Sequence, residues 1–315
     1  MATHSLPRVQ ADCAWPASLS VSVIIPTKDR PGDLEAAIES LLNQTRSPDE
    51  IILVDQSAER SFTKPIPIPL RYIHDPRIGG LAEAKNAGMK AAQCDVWVFF
   101  DDDVILEPQF LEELLAAYAP EVAGVSGIIT NYKKPPLGRL LWDTLFMRGP
   151  FRDIRQRIYW KAASLKDAKP IRVRQFGGGL MSFRASSIKG LQFDANSKGA
   201  SPGEDLDFCA QIPNDKILLI APKARLVHNK TPRARASVHW LSLHAQVYYY
   251  LRERHWCSGP WNNICFAWLK TGYALAALLS CLKRKSSDSW KAWRQGARKG
   301  LELASAGIKD KPPDG

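Results

Sequence analysis

Apolar residues in the first half of the chain alternate between two rhythms. Val21-Ser-Val-Ile-Ile25 is a short β-branched run bounded by Pro26, and it predicts a buried strand. From Pro31 to Gln44 the apolar positions Leu34, Ala37, Ile38, Leu41 and Leu42 recur with a helical period. Pro31 suits a first turn, where its missing donor costs nothing. Residues 51–54 predict a second buried strand ending at Asp55, and residues 70–74 a third. Residues 81–92 read as a helix, 96–100 as a strand running into three aspartates, 107–118 as a helix and 122–130 as a strand. This alternation predicts an α/β protein with a mainly parallel sheet covered by helices on both faces. The pattern breaks over 131–174, where Pro135-Pro136, arginines and aromatics mix; a long excursion over the site is expected there. Strand-like patterning resumes over 176–183, entered through Gly177-Gly-Gly179, and ends with 216–228. From Ala234 the periodicity is helical. Three parts follow: a loosely ordered lead-in at 1–20, an α/β domain at 21–233 and a helical region at 234–315.

Charge placement changes the picture more than composition does. The 315 residues suffice for a large core without staples, and no low-complexity tract or internal repeat appears. Cys13, Cys94, Cys209, Cys257, Cys265 and Cys281 form no CxxC pair and no zinc-like spacing, so reduced thiols and a cytoplasmic setting are expected. The N-terminus has no basic stretch leading into an apolar run, hence no signal peptide is expected. The formal charge of +11 is uneven: residues 1–222 sum to −1, while 17 basic against 5 acidic residues follow from Lys223 onward. Residues 133–174 alone carry 12 basic and 3 acidic residues. Such regions meet phosphate-rich partners: nucleic acid, anionic lipid or a phosphorylated acceptor. Residues 236–315 add tryptophans at 240, 256, 261, 268, 290 and 293. Within them 264–282 is largely apolar, interrupted by Lys270 and followed by Lys283-Arg-Lys285. That stretch is marginal for a membrane span and fits an interfacial helix better. No recognisable nucleic-acid module accompanies it, so a membrane surface is the expected partner, with the protein peripheral on the inner face.

In a parallel sheet ligands bind beyond the carboxyl ends of the strands. Thr27-Lys28-Asp29-Arg30, Asp55 and Asp101-Asp102-Asp103 occupy those ends. Three adjoining carboxylates repel each other unless a cation joins them, and hard oxygen ligands suit Mg²⁺ or Mn²⁺ bridging diphosphate oxygens. His228 ends the run Arg225-Leu-Val227; alone it reads as a packed or capping residue, but with the aspartates it suits Mn²⁺. Gly203-Glu204-Asp205-Leu206-Asp207 places acids at a helix start, where they either complement the dipole or supply a general base. Asp205 is the favoured base and Glu204 the second choice.

Taken in order, Val-Ile-Ile-Pro-Thr-Lys-Asp-Arg at 23–30, Leu-Val-Asp at 53–55, Gly-Leu-Ala-Glu-Ala-Lys-Asn-Ala-Gly at 80–88, Phe-Phe-Asp-Asp-Asp at 99–103 and Gly-Glu-Asp-Leu-Asp at 203–207 resemble glycosyltransferase family 2 across roughly 21–230. The resemblance implies a GT-A fold, a nucleotide-diphosphate sugar donor and inversion at the anomeric carbon. It implies that Pro26, Thr27 and Arg30 line the nucleotide pocket and that Asp55 receives the base. Lys85, Asp101 and Asp102 would serve the donor, Asp103 and His228 the metal, and Asp205 the acceptor hydroxyl. Asp55-Gln56-Ser57 stands where family members often carry Asp-Asp-Gly-Ser, which puts that loop in doubt. The Gln-x-x-Arg-Trp signature of processive synthases is absent, favouring one transfer per encounter. UDP or dTDP is the favoured nucleotide and a glycan or lipid-linked molecule the expected acceptor. Two competing readings are a catalytically silent scaffold or sugar-binding module and a nucleotidyltransferase. The silent module has no reason to keep Asp103, Asp205 and His228 together. The nucleotidyltransferase would carry a glycine-rich basic loop where Pro26-Thr27-Lys28-Asp29-Arg30 stands.

Overall fold

Every residue of β1 (Val21–Thr27) and β2 (Glu50–Asp55) is buried, as their unbroken apolar runs require of strands covered on both faces. A computed structural model describes residues 19–196, 199, 202–229 and 239–308. Most of the expected lead-in, Cys13 and the junction at 233/234 lie outside the described residues. Between these strands runs α1 (Pro31–Leu42), which turns Leu34, Ala37, Ile38 and Leu41 onto the sheet. After β3 (Leu70–His74), α2 (Leu81–Ala91) carries the chain back across β1 to β4 (Val96–Phe100). Gly88 sits where α2 crosses β1; an added Cβ would stand 2.3 Å from Ile24.

The remaining strands are β5 (Val104–Leu106), β6 (Val122–Ile129), β7 (Ile171–Val173), β8 (Leu180–Arg184) and β9 (Ile217–His228). The sheet order is β3-β2-β1-β4-β8-β6-β9-β5, with β7 pairing β9. Strands β1 to β4 are mutually parallel, and β8 runs antiparallel between β4 and β6. Strand order reverses between β1 and β4, so the ends bearing Thr27–Arg30 and Asp101–Asp103 flank the crevice of a topological switch point. Pro26 lies past the last β1–β4 pair, Ile24 with Phe99, so its missing N–H leaves no gap in that ladder.

Three departures from the sequence reading matter. Strand β5, too short to show a period, leaves the aspartates directly and pairs antiparallel with β9, setting Val104 opposite His228. The helix expected over 107–118 shrinks to α3 (Phe110–Leu115), because Pro108 spends its carbonyl on the Thr45 amide instead of a helical turn. The excursion is ordered: it holds α4 (Leu137–Phe146), α5 (Arg155–Trp160) and β7.

The helical region comprises α7 (His239–His255), α8 (Pro260–Arg284) and α9 (Asp288–Ile308), with α6 (Glu204–Gln211) between it and the sheet. It has its own hydrophobic cluster, which recruits Met147 and Phe151 from the excursion and Leu206 from α6. Helix α9 lies on α7 at close range: added Cβ atoms at Gly296 and Gly300 would stand 2.0 and 2.4 Å from the Ser242 and Gln246 carbonyls.

Candidate active site

Strand β4 ends in Asp101-Asp102-Asp103, and β9 brings His228 alongside through its pairing with β5. His228 Nε2 lies 2.9 Å from Asp103 Oδ1 and 3.7 Å from Asp101 Oδ2. Candidate ligand atoms of the three residues fall within 4.8 Å of one another. Oxygen ligands about 2.1 Å from one cation in neighbouring octahedral positions lie about 3 Å apart, so the spacing suits a small divalent ion. His228 Nδ1 is buried without a hydrogen bond, and an imidazole beside carboxylates matches the donor preference of Mn²⁺. Gly179 leaves the room: a Cβ there would stand 2.6 Å from His228 Cε1 and 3.1 Å from Asp101 Oδ2.

Asp102 turns the other way. Its Oδ2 accepts from the Thr27 hydroxyl at 2.7 Å, and its Oδ1 faces Arg30 Nη1 at 3.2 Å. The same guanidinium nitrogen lies 3.2 Å from Asp103 Oδ2. Burial pushes the Asp102 carboxyl up to about 6 despite Thr27 and Arg30. Burial also works against charge on Asp103, but His228 and Arg30 hold it below its ordinary value.

Asp55 does not open onto the cleft. It is fully buried, and its oxygens accept from the Ser57 amide (3.0 Å), the Ser61 amide (2.7 Å) and hydroxyl (3.2 Å) and the Tyr72 hydroxyl (2.5 Å). A carboxylate has about four acceptor positions, and these four donors fill them. Gln56 and Asp29 reach the cleft instead.

Lys85, expected to serve the donor, lies in the wall. Its side chain has 0% exposure, and its ammonium donates to Glu204 Oε1 at 2.8 Å and the Gly178 carbonyl at 3.1 Å. Burial raises the Glu204 carboxyl to about 7 against the pull of Lys85. Lys85 stays above its ordinary value although burial opposes its charge, because Glu204 and Asp101 both attract it.

Asp205 occupies the first turn of α6, after Gly203 at φ 87°, a left-handed conformation that glycine adopts without strain. Its Oδ2 accepts from the Gly178 amide at 2.9 Å and faces Arg155 Nη1 at 3.0 Å. Both contacts fall on Oδ2, and Asp205 lines the cleft. Arg155 is gripped by Asp153 through two contacts of 3.0 and 2.9 Å and donates to the Phe176 carbonyl. Sequence reasoning missed Asp153 and Arg155, since an arginine in a basic excursion carries no periodic signal. It also missed His244 and Tyr248 of α7, which line the cleft.

The cleft joins these groups. It measures about 740 Å³ and is lined by Pro26, Thr27, Arg30, Asp101, Asp102, Arg155 and Asp205 among others. A second groove of about 800 Å³ lies beyond His228, lined by Lys133, Lys134, Pro135, Pro136 and Arg139. Strand order, crevice and acidic cluster together define a cleft that could hold a divalent metal and a phosphate-bearing ligand.

The model of glycosyl transferase family 2 matches residues 22–187. The chain belongs to glycosyl transferase family 2, and its sheet has the GT-A fold. Succinoglycan biosynthesis protein ExoM of Rhizobium meliloti is 25% identical over 318 residues, covering 93% of this chain and 95% of that protein. An uncharacterized glycosyltransferase of Haemophilus influenzae is 32% identical over 101 residues, 30% of this chain and 33% of that protein. O-antigen biosynthesis protein RfbC of Myxococcus xanthus is 34% identical over 116 residues, 33% of this chain and 9% of that protein. The shared stretch thus spans a third or less of the last two relatives. Among solved structures, S. aureus TarS 1–349 in complex with UDP-GlcNAc superposes with a TM-score of 0.57 at 13% identity, covering 91% of this chain and 82% of that one. Mannosyltransferase PcManGT from Pyrobaculum calidifontis, in complex with GDP-Man and Mn²⁺, gives 0.50 at 16% identity, covering 95% and 90%. At such identities the likeness is one of fold.

Proposed function

We propose that the protein transfers one sugar from a nucleotide-diphosphate donor to an acceptor hydroxyl, with inversion at the anomeric carbon. The observation that carries this reading is that Asp101 and Asp102 line the same cleft as Asp205, from opposite elements. Asp101, Asp103 and His228 would hold Mn²⁺ or Mg²⁺, which when bound neutralises the charge gathering on the departing diphosphate. Thr27 and Arg30 fix Asp102 against the donor side, and Pro26 and Gln56 flank the nucleotide. Asp55 acts indirectly, by shaping the loop that meets the base.

Asp205 takes the acceptor proton. As the acceptor oxygen bonds to the anomeric carbon, the bond from that carbon to the diphosphate oxygen breaks and the nucleoside diphosphate leaves. Arg155 and the Gly178 amide hold Oδ2, so Oδ1 keeps a fixed aim. Glu204 fits the base role less well, because Lys85 occupies it. UDP or dTDP is the proposed nucleotide. A cell-surface glycan, free or lipid-linked, is the proposed acceptor, met from the cytoplasmic side of the membrane. ExoM and RfbC, named for succinoglycan and O-antigen biosynthesis, support that setting.

The test is a thermal-shift panel of UDP, dTDP, GDP and CDP, with and without Mn²⁺, on wild type and Asp103→Ala. Stabilisation by one nucleotide, dependent on metal and absent in the variant, is expected. No stabilisation by any nucleotide would overturn the reading in favour of a silent scaffold. Release of pyrophosphate instead of nucleoside diphosphate would make the protein a nucleotidyltransferase.

A further inference from the structure

A surface helix packed on a globular body turns its polar side outward. Helix α8 is apolar on both sides. Cys265, Phe266, Leu269, Gly272, Tyr273 and Ala277 face the protein, yet the outward stripe reads Trp261, Ile264, Trp268, Leu275, Leu279 and Leu282. Beside it lies α4, running the opposite way: Trp268 Nε1 donates to the Leu145 carbonyl and Trp142 Nε1 to the Gly272 carbonyl. Helix α4 exposes Leu137, Leu141 and Leu145 at successive turns. Exposures of 70% at Leu137, 62% at Trp261 and 67% at Leu282 mark a two-helix apolar face, not scattered residues.

The charges around this face have one sign. Arg148 follows α4, Lys270 lies within α8, and Lys283, Arg284 and Lys285 close it, while residues 260–287 contain no Asp or Glu. Asp143, the one acid in α4, is held by Arg139 Nε at 2.8 Å. A second copy of the chain seated on this face by two-fold symmetry would set the basic rims against each other. An anionic bilayer matches both features, taking the leucines and tryptophans at headgroup depth and the lysines on phosphates.

We infer that the α4–α8 face docks in the plane of an anionic lipid bilayer, without crossing it. Helix α8 is long and apolar enough to span a membrane, with a mean hydropathy of 1.5 in its most apolar window. A span would nonetheless strip Tyr273, Leu269 and Phe266 from the cluster that contains Phe151 and Leu206. The docking also places the second groove. Pro135 and Pro136 lead directly into α4 and share that groove with Lys133, Lys134 and Arg139, so docking sets its mouth at headgroup level. That consequence, an anionic lipid-linked acceptor entering beside His228, rests on the proposed transferase reading; the docking itself does not.

Flotation of the full chain with phosphatidylglycerol–phosphatidylcholine vesicles and with phosphatidylcholine vesicles tests it. Binding to the anionic vesicles is expected, released by high salt or alkaline carbonate. Lys283→Gln with Lys285→Gln should weaken it by roughly fivefold per charge, so roughly 25-fold for the pair. Leu141→Glu with Leu279→Glu should abolish flotation while leaving the melting temperature and its shift by nucleotide and Mn²⁺ unchanged. Absence of flotation, or equal flotation of these variants, would overturn the docking whether or not nucleotides bind. Carbonate-resistant binding would replace it with a span. A dimer in light scattering that the leucine variants dissociate would assign the face to a second copy.

Discussion

Replacing Lys85 with methionine keeps the buried stem and removes one charge from the wall between α2 and α6. The side chains of Lys85 and Glu204 are 0% and 6% exposed, so water does not replace the lost partner. Breaking a buried pair from one side costs about 3–5 kcal/mol. At roughly 2 °C per kcal/mol for a large domain, Lys85→Met should melt roughly 6–10 °C lower near pH 8. The pH dependence has a definite sign. Burial lifts Glu204 from 4.5 to about 7, so the folded protein holds this proton more tightly than the unfolded chain. The corresponding stability is fully present below pH 4.5 and is lost as pH rises through about 7. The penalty of Lys85→Met is therefore largest above that range, where Glu204 without its partner must either keep a proton against the pH or carry an unpaired charge, and shrinks where Glu204 is neutral. Glu204→Gln leaves Lys85 facing Asp101 and Asp205 and should be milder. The double variant should be less destabilised than the sum of the two. Thermal unfolding of all four proteins by circular dichroism, near pH 5 and near pH 8, reads the cycle. Strict additivity, or a Lys85→Met penalty independent of pH, would refute the pairing argument.

Other substitutions separate binding from chemistry and from packing. Asp205→Asn should lower kcat by roughly 10²- to 10⁴-fold while the nucleotide-induced melting shift is retained, measured by nucleoside diphosphate release. Gly179→Ala should weaken the metal-dependent part of that shift, since its Cβ would press on His228 and Asp101. Gly272→Ala should cost about 1–3 kcal/mol in denaturant unfolding, because its Cβ would stand 2.4 Å from Phe146 Cγ.

The parallel half of the sheet was legible because β1 and β2 are buried throughout, β4 nearly so, and its helices keep strict periods; the half-buried edge strand β3 still matches residues 70–74 end to end. The acidic cluster was legible because three carboxylates beside a buried strand have few structural uses. Residue types, by contrast, do not say which way a side chain turns. Asp55 and Lys85 stand in the expected motifs, yet one organises a loop and the other pairs with Glu204, a choice set by tertiary packing. Strand β5 was hidden by its three residues, and β8 reads as a strand without revealing that it runs antiparallel. The contact of Arg155 with Asp205 was illegible because it joins the starts of two helices fifty positions apart.

Helix α6 contributes Leu206 to the helical cluster and Phe208 and Cys209 to the sheet core. Its Asp207 also meets His255 Nε2 at 2.7 Å. The carboxylate proposed as base therefore rides on an element that neither half of the protein owns. Chimeras built by trading helical regions between relatives at the boundary near residue 234 would fit a new α7 against an old α6, mismatching Leu206 and Asp207. Junctions placed ahead of Gly203 would keep α6 with its helical partners but carry β9 along, moving the mismatch to the Lys85–Glu204 and Arg155–Asp205 contacts and to the pairing of β9 with β5, β6 and β7.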